Sequence, residues 1–399
     1  MNKVVGTLIA GVMCVTLILI LSNQLPSYIG QKSVLKKKEG TSESHALNQQ
    51  GVGFLKKGKF QKAVEKFRAA GAMDPKDLVI AHNLSLGLAR LSKVNGNSAG
   101  SRRSEALLKE ALNLWPENPE ALNSLSFRYY EDGRYRDAWN LAVRLAAFNP
   151  DLPHLSDYIA RLKGLMEEDK GMVAEEGQYF RLLYSGARQL EFEGELLFIL
   201  QEQMDSLTAA LGIFPSHPID VLLMTKDLGE KAKPVDPVFK GIYDGRIRLY
   251  PGDSLNDREM WTGTVRHEMV HALLHQAGGI LPAWFQEGVA QKLGERPSAG
   301  KALEMKRALR NAMEGVFTPD LLSYGDSFVS LPADERNLAY ADSYLFIEYL
   351  EGKYGENMIP VIVSDLQQGL TLEEAMRAFT KKDISDLQAD FIKDLQKEG

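Results

Sequence analysis

His267 and His271 stand four residues apart with an acid between them, in the order His267-Glu268-Met269-Val270-His271. On a helix this spacing projects both imidazoles from one face, where they can share a zinc ion, and the intervening carboxylate lies beside them. The flanking residues predict that helix. Asn256 or Asp257 can cap it, and Met260, Trp261, Val265, Met269, Ala272 and Leu273 fall near helical spacing. Two imidazoles alone leave such a site short of a third protein ligand.

Glu287 can supply it. It lies sixteen residues beyond His271 in Pro282-Ala283-Trp284-Phe285-Gln286-Glu287-Gly288-Val289-Ala290. Gly278 and Gly279 end the first helix and let the chain reverse, and Pro282 suits the first turn of a second helix that carries Glu287 back past the first. Two histidines and one carboxylate form a catalytic zinc set whose fourth position is left for water.

This order of residues resembles the glutamate-zincin (gluzincin) metallopeptidases, in which H-E-x-x-H is followed by a helix reading like W-L-N-E-G-x-A. Trp284, Glu287, Gly288 and Ala290 match, and Phe285 and Gln286 are conservative departures. The resemblance implies one Zn2+ per chain on His267, His271 and Glu287. Peptide bonds would be hydrolysed through a zinc-bound water, with Glu268 as general base and then proton donor to the leaving amine. By the match to a downstream aromatic helix, Tyr340 is the candidate for stabilising the oxyanion, with Tyr344 its competitor. Gln291 departs from the family, whose sites often carry an acid nearby to orient a zinc-bound histidine. His275 extends the histidine stripe but is read as a supporting or surface residue, because a fourth protein ligand would close the open position.

The elements around these motifs predict an α+β zincin-like domain, a mixed sheet plus helices, at 178–396. Gln178 to Tyr184 and Ile219 to Met224 read as strands, and Phe192 to Leu211 as an amphipathic helix. Val238 to Tyr243 and Arg246 to Tyr250 flank Asp244-Gly245, a two-residue hairpin signal. Helices are expected at Lys301 to Met313, Arg336 to Tyr354, Glu356 to Gln368, Leu372 to Phe379 and Ile384 to Lys397. The region resembles the small gluzincin-like domains called peptidase MA-like, whose edge strand can hold a peptide by strand addition.

Ahead of this domain the chain repeats itself. Leu47, Gly51, Phe54, Gly58, Ala63, Phe67, Ala70 and Pro75 fall at the offsets of the 34-residue tetratricopeptide pattern. Leu122, Leu125, Tyr129, Gly133, Ala138, Leu145 and Pro150 repeat the frame, with Ser126 in place of Gly or Ala and Ala142 in place of a bulky residue. Ala81, Leu84, Leu88, Leu108, Ala111 and Pro116 fit a degenerate copy expanded at 95–101. An all-α repeat region over 44–152 follows, joined to the zincin-like part by a connecting segment at 153–177. Such repeats either offer a concave surface to a protein partner or substrate, or act as a spacer.

Residues 1–43 form an expected membrane anchor and linker. Val4 to Leu21 is an 18-residue run without a charge, about the length of a spanning helix, and Ser22-Asn23-Gln24-Leu25-Pro26 offers no small-x-small cleavage site. Lys36-Lys37-Lys38 after the run favours a cytoplasmic body by charge, whereas the layout of a short anchor before a large body favours export. We side with an extracytoplasmic body. Cys14 is the single cysteine, so no internal disulfide forms. A net charge of −6 without a broad basic patch argues against a nucleic-acid partner. The leading expectation is a membrane-anchored zinc metallopeptidase acting on peptide or protein substrates. The rival is a noncatalytic repeat scaffold with a zincin-like binding module.

Overall fold

The structure is a computed structural model that describes residues 42–94, 101–185, 190–224, 241–250, 258–278, 281–294, 296–314, 325, 327–328 and 331–397. Val4 to Leu21, the capping candidates Asn256 and Asp257, and Val238 to Lys240 of the expected hairpin lie outside the described residues. No helix among the described residues is long and apolar enough to cross a membrane. The described chain is mostly helical, with fifteen helices and one small mixed sheet, and falls into two units that divide between Lys170 and Gly171.

The first unit is all helix: α1 (Ser42–Lys56), α2 (Phe60–Met73), α3 (Leu78–Val94), α4 (Ser101–Leu114), α5 (Pro119–Glu131), α6 (Tyr135–Phe148) and α7 (Leu155–Glu168). Each packs on the next. Small residues set the spacing: a Cβ at Gly51 would stand 2.5 Å from the Phe67 ring, and Ala63, Ala70, Ala111, Ala121 and Ala138 are wholly buried. Of the two departures from the repeat pattern, Ala142 is wholly buried and Ser126 has specific partners. Buried Ser126 donates to the Ala138 carbonyl at 2.7 Å, so its hydroxyl is satisfied in a position that favours Gly or Ala. Next to it the Tyr158 hydroxyl donates to the Ser126 carbonyl at 3.2 Å, bringing a buried ring from α7 against α5. Helix α7 occupies the segment read from sequence only as a connector, and Leu155, Tyr158, Leu162 and Leu165 form its buried face.

The second unit is built on the sheet β1-β2-β3-β5-β4, formed by β1 (Val173–Glu176), β2 (Phe180–Tyr184), β3 (Ile219–Leu223), β4 (Gly241–Tyr243) and β5 (Ile247–Leu249). Strands β2, β3 and β5 run parallel, and β1 and β4 are antiparallel edges. One face, bearing Leu182, Tyr184, Val221, Leu223, Ile247 and Leu249, joins the main core with α8 (Leu190–Leu211) and α9 (Arg258–Gly278). Alternation places Arg181, Asp220 and Arg248 on the other face. There Asp220 accepts from Arg181 at 2.9 Å and from Arg246 at 3.1 Å.

The hairpin differs from its expected form. Tyr243 pairs with Ile247, so three residues, Asp244, Gly245 and Arg246, form the loop, with Gly245 at φ +97°. The wholly buried Arg246 leaves the ladder and sends its guanidinium to Asp220 on β3. After α9 come α10 (Ala283–Leu293), α11 (Ala299–Met313), α12 (Ala333–Tyr354), α13 (Met358–Gln367), α14 (Leu372–Thr380) and α15 (Ile384–Lys397). Thr371 and Glu374 form a capping box that starts α14.

Candidate metal centre

Helix α9 buries Trp261, Val265, Met269, Val270, Ala272, Leu273 and Leu274, which fixes its rotation and brings His267 and His271 to the side facing α10. Pro282 caps α10 with an extended backbone, and Trp284, Phe285, Val289 and Ala290 bury its apolar face. That leaves Glu287 opposite the imidazoles. The Nε2 atoms of His267 and His271 are 3.2 Å apart, and Glu287 Oε2 lies 3.5 Å from each.

These atoms converge without a complete set of hydrogen bonds. Glu287 Oε2 is sealed from solvent and has no hydrogen-bond partner, an arrangement that costs free energy unless a cation or protons satisfy it. Burial alone would raise the Glu287 carboxyl, yet the charge of the adjacent imidazoles holds it well below the usual carboxylate range. Among the described residues these three form the histidine–acid group whose ligand atoms lie within 4.8 Å of one another. The triangle has sides of 3.2, 3.5 and 3.5 Å. The nearest point equidistant from its corners lies in their plane about 2.0 Å from each, and points just out of that plane, where a fourth position stays open, remain within the range of zinc bonds to imidazole nitrogen and carboxylate oxygen. Donor set and spacing therefore fit Zn2+.

Glu268 lies on the same helix as the imidazoles but faces the sheet. It is 7% exposed, and burial pushes its carboxyl above the ordinary range against the pull of His267 and His271. The backbone N–H of Tyr243 donates to it. Edge strand β4 thus passes directly over α9, and Gly241 makes the approach feasible: a Cβ there would stand 2.7 Å from Thr264 Cγ2 and 2.8 Å from Glu268 Cγ. At its other end Tyr243 meets His275 edge-on, ring centroids 5.7 Å apart. Burial, with His217 nearby, lowers the His275 pKa to about 4, so this third histidine is a neutral packing partner of the edge strand.

Tyr340 is half-buried on α12, with its ring edge-on to Phe328 at 5.1 Å. Tyr344, its competitor, is almost wholly buried and hydrogen-bonds with Arg296. Gln291, half-buried on α10, supplies no carboxylate beside the ligands. The sequence reading missed the contacts made through backbone, namely Tyr243 N–H to Glu268 and the close approach of Gly241. Only the glycine itself, next to a hairpin, could have signalled them.

Residues 254–396 match the family model of the Peptidase MA superfamily, which supports a zincin-like peptidase domain over that part of the chain. Compared with curated proteins, the chain matches none.

Proposed function

We propose that this protein is a membrane-anchored, zinc-dependent metallopeptidase whose helical repeats recruit a protein partner or substrate. The observation that carries the reading is the convergence of His267, His271 and Glu287, with a buried Glu287 oxygen lacking any hydrogen-bond partner. These three side chains would hold one Zn2+. When bound there, the ion supplies Lewis acidity that polarises the scissile carbonyl and lowers the pKa of water.

The remaining steps belong to the chain's own groups. Glu268, beside the ligands and shielded from solvent, takes a proton from the attacking water and returns it to the leaving amine nitrogen. Strand β4 pairs with β5 on one side and no described strand on the other, so an extended substrate can add along its outer edge above α9. Tyr340 would donate its phenol to the oxyanion.

The apolar run Val4 to Leu21 would anchor the protein, with the body on the extracytoplasmic side, and α1 to α6 would form the tetratricopeptide surface. Metal analysis of the purified protein, paired with a protein-substrate cleavage assay, tests the enzymatic reading. About one zinc per chain and metal-dependent cleavage are expected. A protein that holds zinc yet cleaves nothing in a broad peptide library would favour the scaffold instead.

A further inference from the structure

The three ligand atoms come from two helices, so the site depends on how α9 and α10 are locked together. Arg266, the residue before His267, makes that lock. Its Nε donates to the carbonyl of Leu293, the last residue of α10, and its Nη1 donates to Gln203 Oε1 at 3.0 Å and Ser206 Oγ at 2.9 Å on α8. The described partners of this half-buried guanidinium are a carbonyl, an amide and a hydroxyl, none of them the carboxylate that would offset its desolvation most strongly. It finds instead the negative end of a helix, where the last carbonyls have no partner within the helix.

Gly294 closes the same contact from the other side. A Cβ there would stand 2.8 Å from His267 Cα and 2.9 Å from His267 N, so the end of α10 abuts the backbone of a ligand residue. Glu287 lies six residues back along α10, about 9 Å at helical rise. The opposite face of α10 is held separately: Lys292 pairs with Glu348 and Glu351 of α12. Those pairs set α10 against α12, whereas Arg266 sets it against α9.

We infer that Arg266 is a positioning residue of the metal centre, clamping the C-terminal end of α10 beside His267 and thereby fixing Glu287 against the two histidines. The inference rests on reading His267, His271 and Glu287 as a zinc set. Metal sites accept ligand displacements of only about 0.2 Å, so loss of the clamp should be read at the metal before it is read in the fold.

The test uses the full-length protein. Zinc affinity is measured by chelator competition, the visible bands of the Co2+-substituted protein report ligand geometry, and melting of the metal-free protein reports stability. Arg266→Met keeps the aliphatic stem and removes the fork. It should weaken zinc by about tenfold or more, in the range seen when groups supporting ligands are lost, and shift the cobalt bands. Gln203→Leu removes one of the two contacts to α8, leaving that to Ser206 and the bond to the Leu293 carbonyl, and should lower the melting temperature while leaving zinc affinity and cobalt bands unchanged. If Arg266→Met does not fold, Arg266→Lys carries the test, keeping a charge near the helix end but losing the fork, with a smaller loss of affinity and the same direction of band shift. Unchanged zinc affinity and cobalt bands in the folded variant overturn the inference and leave Arg266 a purely structural residue. A wild-type protein that binds no zinc overturns the metal reading itself, and the inference with it.

Discussion

Gly288 of α10 lies so close to Ser343 of α12 that a Cβ on it would stand 2.6 Å from the Ser343 carbonyl oxygen, and equally near Ile347 Cγ1. Backbone cannot yield as a flexible side chain can, so any side chain at 288 must push α10 away from α12. Since Glu287 is the preceding residue, that displacement moves a proposed ligand. Gly288→Ala should destabilise the protein by about 1–3 kcal/mol, the usual cost of overpacking, and weaken zinc binding. Gly352, also on α12, meets nothing within 4 Å. Gly352→Ala should therefore be neutral or stabilising by about 0.5–1 kcal/mol through helix propensity. Denaturant unfolding of the two variants side by side decides, and equal effects would remove the close-packing argument.

How far the sequence could be read follows from which signals are local. The spacing of His267, Glu268 and His271 and the glycines before Pro282 are local facts, and they sufficed to anticipate that Glu287 meets the imidazoles. The Asp244-Gly245 hairpin was legible too, but not its three-residue loop, whose third residue, Arg246, is paired with Asp220, a residue more than twenty positions earlier. Strand β1 was invisible, since three of its four residues are exposed and show no alternation. Arg266 left no pattern because it acts through the backbone carbonyl of Leu293, and backbone groups are the same in every sequence; Gly241 left none because the side chains it makes room for, Thr264 and Glu268, lie more than twenty positions away.

If the three converging side chains are the ligands, metal content should follow them individually. The wild-type protein should carry about one zinc per chain. His267→Ala, His271→Ala and Glu287→Ala should each drop below stoichiometric occupancy after dialysis. His275→Ala should not, because that ring packs against Tyr243. Elemental analysis of dialysed samples gives the answer directly, and full retention of zinc by the triple variant would dismiss the ligand assignment.

Glu131, at the end of α5, predicts a pH dependence confined to the first unit. Burial pushes its carboxyl up to about 7, with Arg128 opposing and Asp132 adding to the shift. A carboxyl with a raised folded pKa binds its proton more tightly in the native state. Stability is therefore greatest below its ordinary value near 4.5 and declines as pH rises through about 7. Glu131→Gln should remove this decline, stabilising the unit at pH 8 by about 1–2 kcal/mol after allowance for solvent screening of a half-buried group. Little change is expected near pH 4.5. Hydrogen exchange of α5 and α6 amides at the two pH values measures it, and a gain of equal size at both would exclude ionisation as the cause.

Separating chemistry from metal binding requires a residue that does one and not the other, and Glu268 is that residue. Its carboxylate accepts from the Tyr243 N–H and faces the edge strand, whereas Glu287 is the acid that meets both imidazoles. Glu268→Gln preserves the volume and can keep the bond to Tyr243 through its amide oxygen, so fold and zinc content should be unchanged. What it loses is the ability to accept and return a proton. General acid–base contributions of about a hundredfold to ten-thousandfold set the expected fall in kcat. The comparison is made at equal zinc occupancy on a substrate cleaved by the wild type, with melting and metal content recorded for both proteins. Equal turnover would take Glu268 out of the mechanism. Loss of zinc together with activity would show instead that Glu268 supports the metal, and would move the general base to another group.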